Sequence, residues 1–152
     1  MDIFDQKTTA NILKVRSGKY EVGSRNFNFI SMTNDLKQRT KKFALDCWIL
    51  CSKLPKTREY NAYVNQLIRS SSSVGANYRA SQRAKSTSDF INKLKIVEEE
   101  VDESVYWLEI FEEVLPEHKD EILKLKKEGS ELLAIIVSSI NTAKRNQKNS
   151  IS

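Results

Sequence analysis

Proline occurs only twice in this chain and glycine only four times among 152 residues. So few turn formers exclude a sandwich or barrel of many short strands, which needs a turn every several residues. No run of about 18 apolar residues exists, which excludes a membrane-spanning helix. A basic segment followed by an apolar core is missing from the N-terminus, so no secretory signal is expected and the expected compartment is cytoplasmic. His118 is the single histidine, and it lies beside Pro116 in an expected loop, which gives little basis for general acid–base chemistry. There is no nucleophile elbow, Walker loop or glycine-rich phosphate cradle. The expectation is a protein that is not an enzyme and carries no cofactor.

Metal chemistry meets the same shortage. The two cysteines, Cys47 and Cys51, stand one helical turn apart, but no second Cys or His pair completes a zinc set, and they read as small buried apolar residues. The acidic run Glu98–Glu103 suggests the glutamates of a two-iron centre, which also needs two Glu-x-x-His motifs that one histidine does not supply. No metal site is expected, and the acids read as a solvated face.

What is present is helical periodicity. A first helix is expected to open at Thr33 or Asn34 as N-cap, to bury Leu36, Phe43, Cys47, Leu50 and Leu54, and to stop before Pro55. A second is expected from about Thr57 to Arg83, with an apolar stripe running from Tyr60 to Tyr78. Ser86, Thr87 or Ser88 caps a third, Ser86 and Asp89 having the spacing of an acidic capping box. Its stripe runs Phe90, Leu94, Val97, Val101, Ser104 or Val105, Leu108, Phe111, Leu115. Pro116 ends it, and a fourth helix follows with Ile122, Leu125, Gly129, Leu132, Ile136, Ile140 and Ala143 on its stripe. Connections this short make consecutive helices antiparallel. The expected fold is all-α, an up-down-up-down antiparallel four-helix bundle over residues 32–146. Residues 1–31 lack the pattern and read as an arm or an over-extended start, with KYEV and FNFI as possible short strands. Residues 147–152 close a polar tail expected to fray from about Lys144.

The charge is unevenly placed. Between Met32 and Arg58 seven Lys/Arg stand against two Asp, whereas Thr87 to Leu115 has two Lys against nine acids. Lys37, Arg39, Lys41 and Lys42 on the first helix, with Arg79, Arg83 and Lys85 at the end of the second, fall toward one end of an antiparallel pair. They form the candidate nucleic-acid surface. Lys53, Lys56 and Arg58 make a smaller patch at the other end. Ordinary solubility accounts for both patches equally well.

The stretch RSSSSVGANYRAS, from Arg69 to Ser81, places poor helix-interior residues in the middle of the second helix. Ser71 and Gly75 lie four apart on the inward face, where small side chains let a neighbouring helix come close, within the chain or from another subunit. Arg69 and Asn77 share nearly one face, and Glu103 can reach them from the third helix, so the three are expected to form a buried structural polar cluster. Tyr106 and Trp107 straddle the third helix's seam, either between subunits or against the fourth helix.

Gln66-Leu67, Arg69, Ser73-Val74 and Asn77 resemble the pattern Q-L-x-R-x-x-x-S-V-P-x-N-I-A-E-G of the 23S ribosomal-RNA intervening-sequence proteins. Phe90, Leu94 and Glu103 are similar to the start and the buried acid of that family's third helix. Gly75 stands where the pattern has proline, and Tyr78-Arg79-Ala80-Ser81 where it has I-A-E-G, so roles of that Glu and Gly do not transfer. The resemblance covers about Met32 to Asn146 and extends to accessory proteins of diversity-generating retroelements. It implies a homopentamer of four-helix bundles, and among those relatives the retroelement proteins work with a reverse transcriptase and its RNA. Two functions are therefore expected. One is an oligomer whose basic surface binds RNA or DNA. The other is a protein–protein adaptor whose acidic third helix (Glu98, Glu99, Asp102, Glu109, Glu112, Glu113) docks on a basic partner such as a reverse transcriptase.

Overall fold

The computed structural model describes residues 24–149, which form four long helices and one short 3-10 turn, with no strand among the described residues. Helix α1 spans Ser24–Ser52, α2 Arg58–Ser81, α3 Thr87–Val114 and α4 Lys119–Asn149, with the 3-10 turn at Pro116–His118. Helix α1 packs on α2 and α4, and so does α3, which leaves α1 and α3 across a diagonal. The molecule is a four-helix bundle.

Local chemistry sets the ends. Pro55 prevents α1 from continuing, and the chain tightens into Lys53 N–H to Leu50 O (3.1 Å) and Leu54 N–H to Cys51 O (3.3 Å) before it turns. Thr57 caps α2 by accepting from the Tyr60 amide. Ser86 caps α3, its hydroxyl accepting from Asp89 N–H at 3.1 Å, while the Asp89 carboxylate accepts from Lys85 N–H at 2.7 Å. That is the expected box with its return bond moved one residue upstream. Pro116 starts the 3-10 turn that leads into α4.

The expected stripes form most of the core, although Phe90 and Tyr60 are half-buried and Ile91, not Phe90, is the buried residue at the start of α3. Phe43, Cys47, Leu50, Leu67, Val74, Val97, Val101, Leu108, Phe111, Ile122, Leu132 and Ile136 are fully buried. At the open choice on α3 it is Ser104 that is buried and Val105 that is half-buried. Burial pushes the Cys51 thiol up to about 11 and Cys47 higher still, so both are buried, protonated thiols, as the spacing argument expected.

Two boundaries differ from the sequence expectation. Helix α1 begins at Ser24, so Thr33 and Asn34 lie inside it and Phe27–Ile30 are helical, not a strand. KYEV lies outside the described residues. The tail does not fray at Lys144, because α4 continues to Asn149 and Gln147 Nε2 donates to Ser88 Oγ at 2.7 Å.

The serine stretch is resolved by its two neighbours. On one flank Ser104 Oγ of α3 lies 2.9 Å from Ser70 Oγ, and each hydroxyl also reaches a carbonyl of its own helix, Glu100 at 2.7 Å and Leu67 at 3.4 Å. On the other flank Ser71 faces Cys47, and Gly75 lies against Thr40, both of α1. Hydroxyls that bond back to the preceding turn satisfy themselves inside a helix. Small residues on two flanks of α2 thus admit α1 and α3 together. Ser71 and Gly75 are buried within the chain, so of the two neighbours left open, the helix that comes close there is one of the same chain and not of another subunit.

Candidate nucleic-acid interface

The Gly75–Thr40 contact sets the register of α1 against α2. One turn from it on each antiparallel helix, Lys37 and Arg79 lie level, and Arg83 and Lys85 follow where α2 ends. The same pole receives the end of α4, fixed there by the Gln147–Ser88 bond. From Leu132 to Asn149 α4 carries Lys144, Arg145 and Lys148 and no carboxylate. These cations are the part of the site that sequence reasoning missed, because a polar segment without apolar period was read as a loose tail. The signal was present in the three basic residues that follow the last buried position, Ala143.

Of the seven cations expected to bind nucleic acid, the structure frees some and occupies others. Arg39 is clamped by α4: its Nε donates to Glu128 at 2.8 Å, and its Nη2 donates to Glu128 at 3.0 Å and to Glu131 at 2.9 Å. The bond to Glu128 is the main reason its pKa rises above the ordinary value. Lys42 pairs with Asp46 one turn on. A cation held by a carboxylate offers less field to another anion, an effect larger for part-buried Arg39 than for exposed Lys42. Among the described residues no carboxylate comes within ion-pair distance of Lys37, Lys41, Arg79, Arg83, Lys85, Lys144 or Arg145. The acids nearest this pole are Asp89, paired with Lys93, and Asp35, whose charge joins burial in raising the Tyr78 hydroxyl. Lys41 sits a turn farther from the pole, on the outward side of α1.

The other sequence-derived sites come apart. Arg69 and Glu103 do meet, Nη2 to Oε1 at 3.2 Å, but at the surface, with the Arg69 side chain 66% exposed. Asn77 is not in the cluster, since its Nδ2 donates to Ser73 O of its own helix at 2.9 Å. Glu103 instead accepts from Trp107 Nε1 at 3.1 Å. A long arginine on an outer edge reaches over the seam and needs no buried partner, so the polar cluster is a surface clasp between α2 and α3. Trp107 leans toward α2, its ring 5.6 Å from Tyr63, and not onto α4 as one reading of the sequence had it. Tyr106 is exposed and meets Trp107 edge to face at 4.9 Å.

Among the described residues no group of His, Cys, Asp and Glu is arranged to hold a metal ion, and no helix is long and apolar enough to cross a membrane.

Fold and charge together define an all-helical bundle with one basic pole. The chain belongs to the 23S rRNA-intervening sequence protein family, whose model matches residues 32–138. It is similar to a solved protein of unknown function from the S23 ribosomal protein family of Bacteroides thetaiotaomicron VPI-5482. The two share 29% identity and superpose with a TM-score of 0.66, the match covering 72% of this chain and 97% of that one. None of the curated proteins matches the chain.

Proposed function

We propose that this protein is a non-enzymatic oligomer that binds RNA or DNA through the phosphate backbone at its basic pole. The observation that carries the reading is the meeting of Arg79, Arg83 and Lys85 with Lys144 and Arg145, none of them within ion-pair distance of a carboxylate among the described residues. Cations that are not neutralised internally attract a polyanion, and each phosphate neutralised releases a condensed counterion. Arg79, Arg83 and Arg145 are exposed and, among the described residues, not held by a carboxylate that would fix their forks, so little sequence preference is expected. The resemblance to pentameric relatives supports a homopentamer, in which several copies of the pole face one nucleic acid and raise avidity without new contacts. It also supports an accessory role in the cytoplasm beside a ribonucleoprotein or reverse transcriptase.

Binding of a mixed single-stranded RNA, followed by fluorescence anisotropy from low to high salt, tests the reading. The logarithm of affinity should fall with the logarithm of salt at a slope of about −0.7 per phosphate contacted. Arg79→Glu/Arg83→Glu/Lys85→Glu should abolish binding at unchanged helicity, because these side chains are outside the core. Unchanged affinity in that variant overturns the reading. Retention of a protein partner from nuclease-treated lysate, without RNA binding, favours the adaptor function of α3 instead.

A further inference from the structure

Away from the basic pole, two exposed rows remain unexplained. On the outward side of α1, Leu45, Trp48 and Ile49 are 50%, 57% and 43% exposed, at spacings of three and four residues that place them on one face. Lys41 lies one turn before them and Lys56 just past the helix end, both exposed and without an acidic partner among the described residues. On the outward side of α3, Tyr106 is 53% exposed. Asp102 and Glu99 precede it by one and two turns, and Glu109 and Glu113 follow it. Glu99, Asp102 and Glu113 have no cationic partner among the described residues. One row is an apolar centre flanked by cations, the other an aromatic centre flanked by anions. Glu99 to Glu113 extends about 21 Å along a helix, and Lys41 to Ser52 about 17 Å, so the rows match in length.

We infer that the α1 row of one copy docks on the α3 row of a second copy, with Leu45 and Trp48 over Tyr106 and the lysines against the flanking carboxylates. The inference rests on the reading that the chain self-associates, and adds which faces do so and with what symmetry. Helices α1 and α3 are diagonal in the bundle, so their outward faces point in opposite directions. A two-fold dimer would need both rows on one side to pair them twice. Docking therefore leaves one row free at each end and continues from copy to copy, the head-to-tail contact that closes into a ring or extends as a filament. Burying a large indole and two aliphatic side chains, with charges at the rim, has the anatomy of a specific interface. Arg79, Arg83, Lys144 and Arg145 lie outside both rows, so assembly leaves the basic pole open.

Complementation of one-faced variants tests the inference on the full chain, with mass read by sedimentation and fold by circular dichroism. Wild-type protein should sediment as three or more copies. Leu45→Glu/Trp48→Glu should be monomeric near 17.5 kDa, and so should Asp102→Lys/Tyr106→Lys, each with unchanged helicity because the positions are exposed. Mixed in equal amounts, the two should form a 1:1 dimer through the single contact still intact. Trp48→Ser, a milder change, should weaken assembly at least tenfold if either double variant loses helicity. Assembly that survives in either variant, or a mixture that stays monomeric, overturns the docking scheme while leaving self-association standing. A monomeric wild type removes both, and frees α3 for a partner of different sequence. RNA affinity measured on the same monomers reports separately on the basic pole.

Discussion

Gly75 and Gly129 both sit buried in the middle of long helices, and they face different neighbours. A Cβ added at Gly75 would lie 3.5 Å from Thr40 Oγ1 and 3.6 Å from the Thr40 carbonyl, which is ordinary van der Waals contact. A Cβ at Gly129 would lie 2.8 Å from Val105 Cγ2 and 3.4 Å from the Phe43 ring. At the α1–α2 contact the glycine is one of several small residues and has room to spare. At the junction of α4 with α1 and α3, it is the only side chain that fits beneath a β-branched valine and a phenylalanine. The conspicuous serine-rich stretch is therefore the tolerant seam, and the single glycine in an otherwise regular stripe is the strict one.

Four substitutions probe that contrast. Gly129→Ala should have the largest effect, a loss of about 1–3 kcal/mol through overpacking against stiff Val105, although alanine is intrinsically the better helix former. Chemical denaturation measures it. In a Val105→Ala background the same change should become neutral or stabilising, because the obstructing methyl is gone; a full penalty there would show that the obstruction lies elsewhere. Gly75→Ala should raise stability by about 0.5–1 kcal/mol, the usual gain from replacing a helix-interior glycine where space allows. A loss at Gly75 would make the two seams alike and end the comparison. The smallest effect is expected at Glu100, one turn from Ser104 on the polar seam. Burial, with Glu103 adding to it, raises the Glu100 carboxyl above its ordinary value. A carboxyl with a raised native pKa costs the fold stability as pH rises through the window between its unfolded and native pKa, the cost being complete above the native pKa and absent where both states are protonated. Glu100→Gln should thus raise the melting temperature slightly at pH 7 and leave it unchanged near pH 3.

Much of this architecture was legible in the sequence because its signals are local. Proline stops α1 before Pro55, α2 opens close to the expected Thr57, Ser86 is the one of three candidates that caps α3, and the stripe on α4 is buried from Ile122 to Ala143. The start of α1 was not legible, since Thr33 and Asn34 are as acceptable inside a helix as at its cap when tertiary packing extends it. Positions on helix edges were also misread. Periodicity says which face is inward, but whether Trp107 leans to α2 or α4, or Arg69 stays exposed, depends on side-chain reach and on the neighbour's outline. The apolar Leu45, Trp48 and Ile49 could have been found, because α1 carries greasy residues around more of its circumference than one core stripe requires. The withdrawal of Arg39 could not, as Glu128 and Glu131 approach it from 89 and 92 residues away.

The placement of Arg79, Arg83, Lys144 and Arg145 also bears on how the molecule travels. At the opposite end of the bundle Lys53, Lys56, Arg58 and Lys119 are mixed with Glu59, Glu113, Glu117, Asp120 and Glu121 and nearly cancel, so the charges of the described residues give an electric moment along the bundle. If the basic pole binds nucleic acid as proposed, such a charge distribution would turn the molecule in the polyanion's field before contact, cationic tip first. Salt then slows arrival chiefly by blurring that orientation over a Debye length of about 8–10 Å, well before it loosens any contact already made.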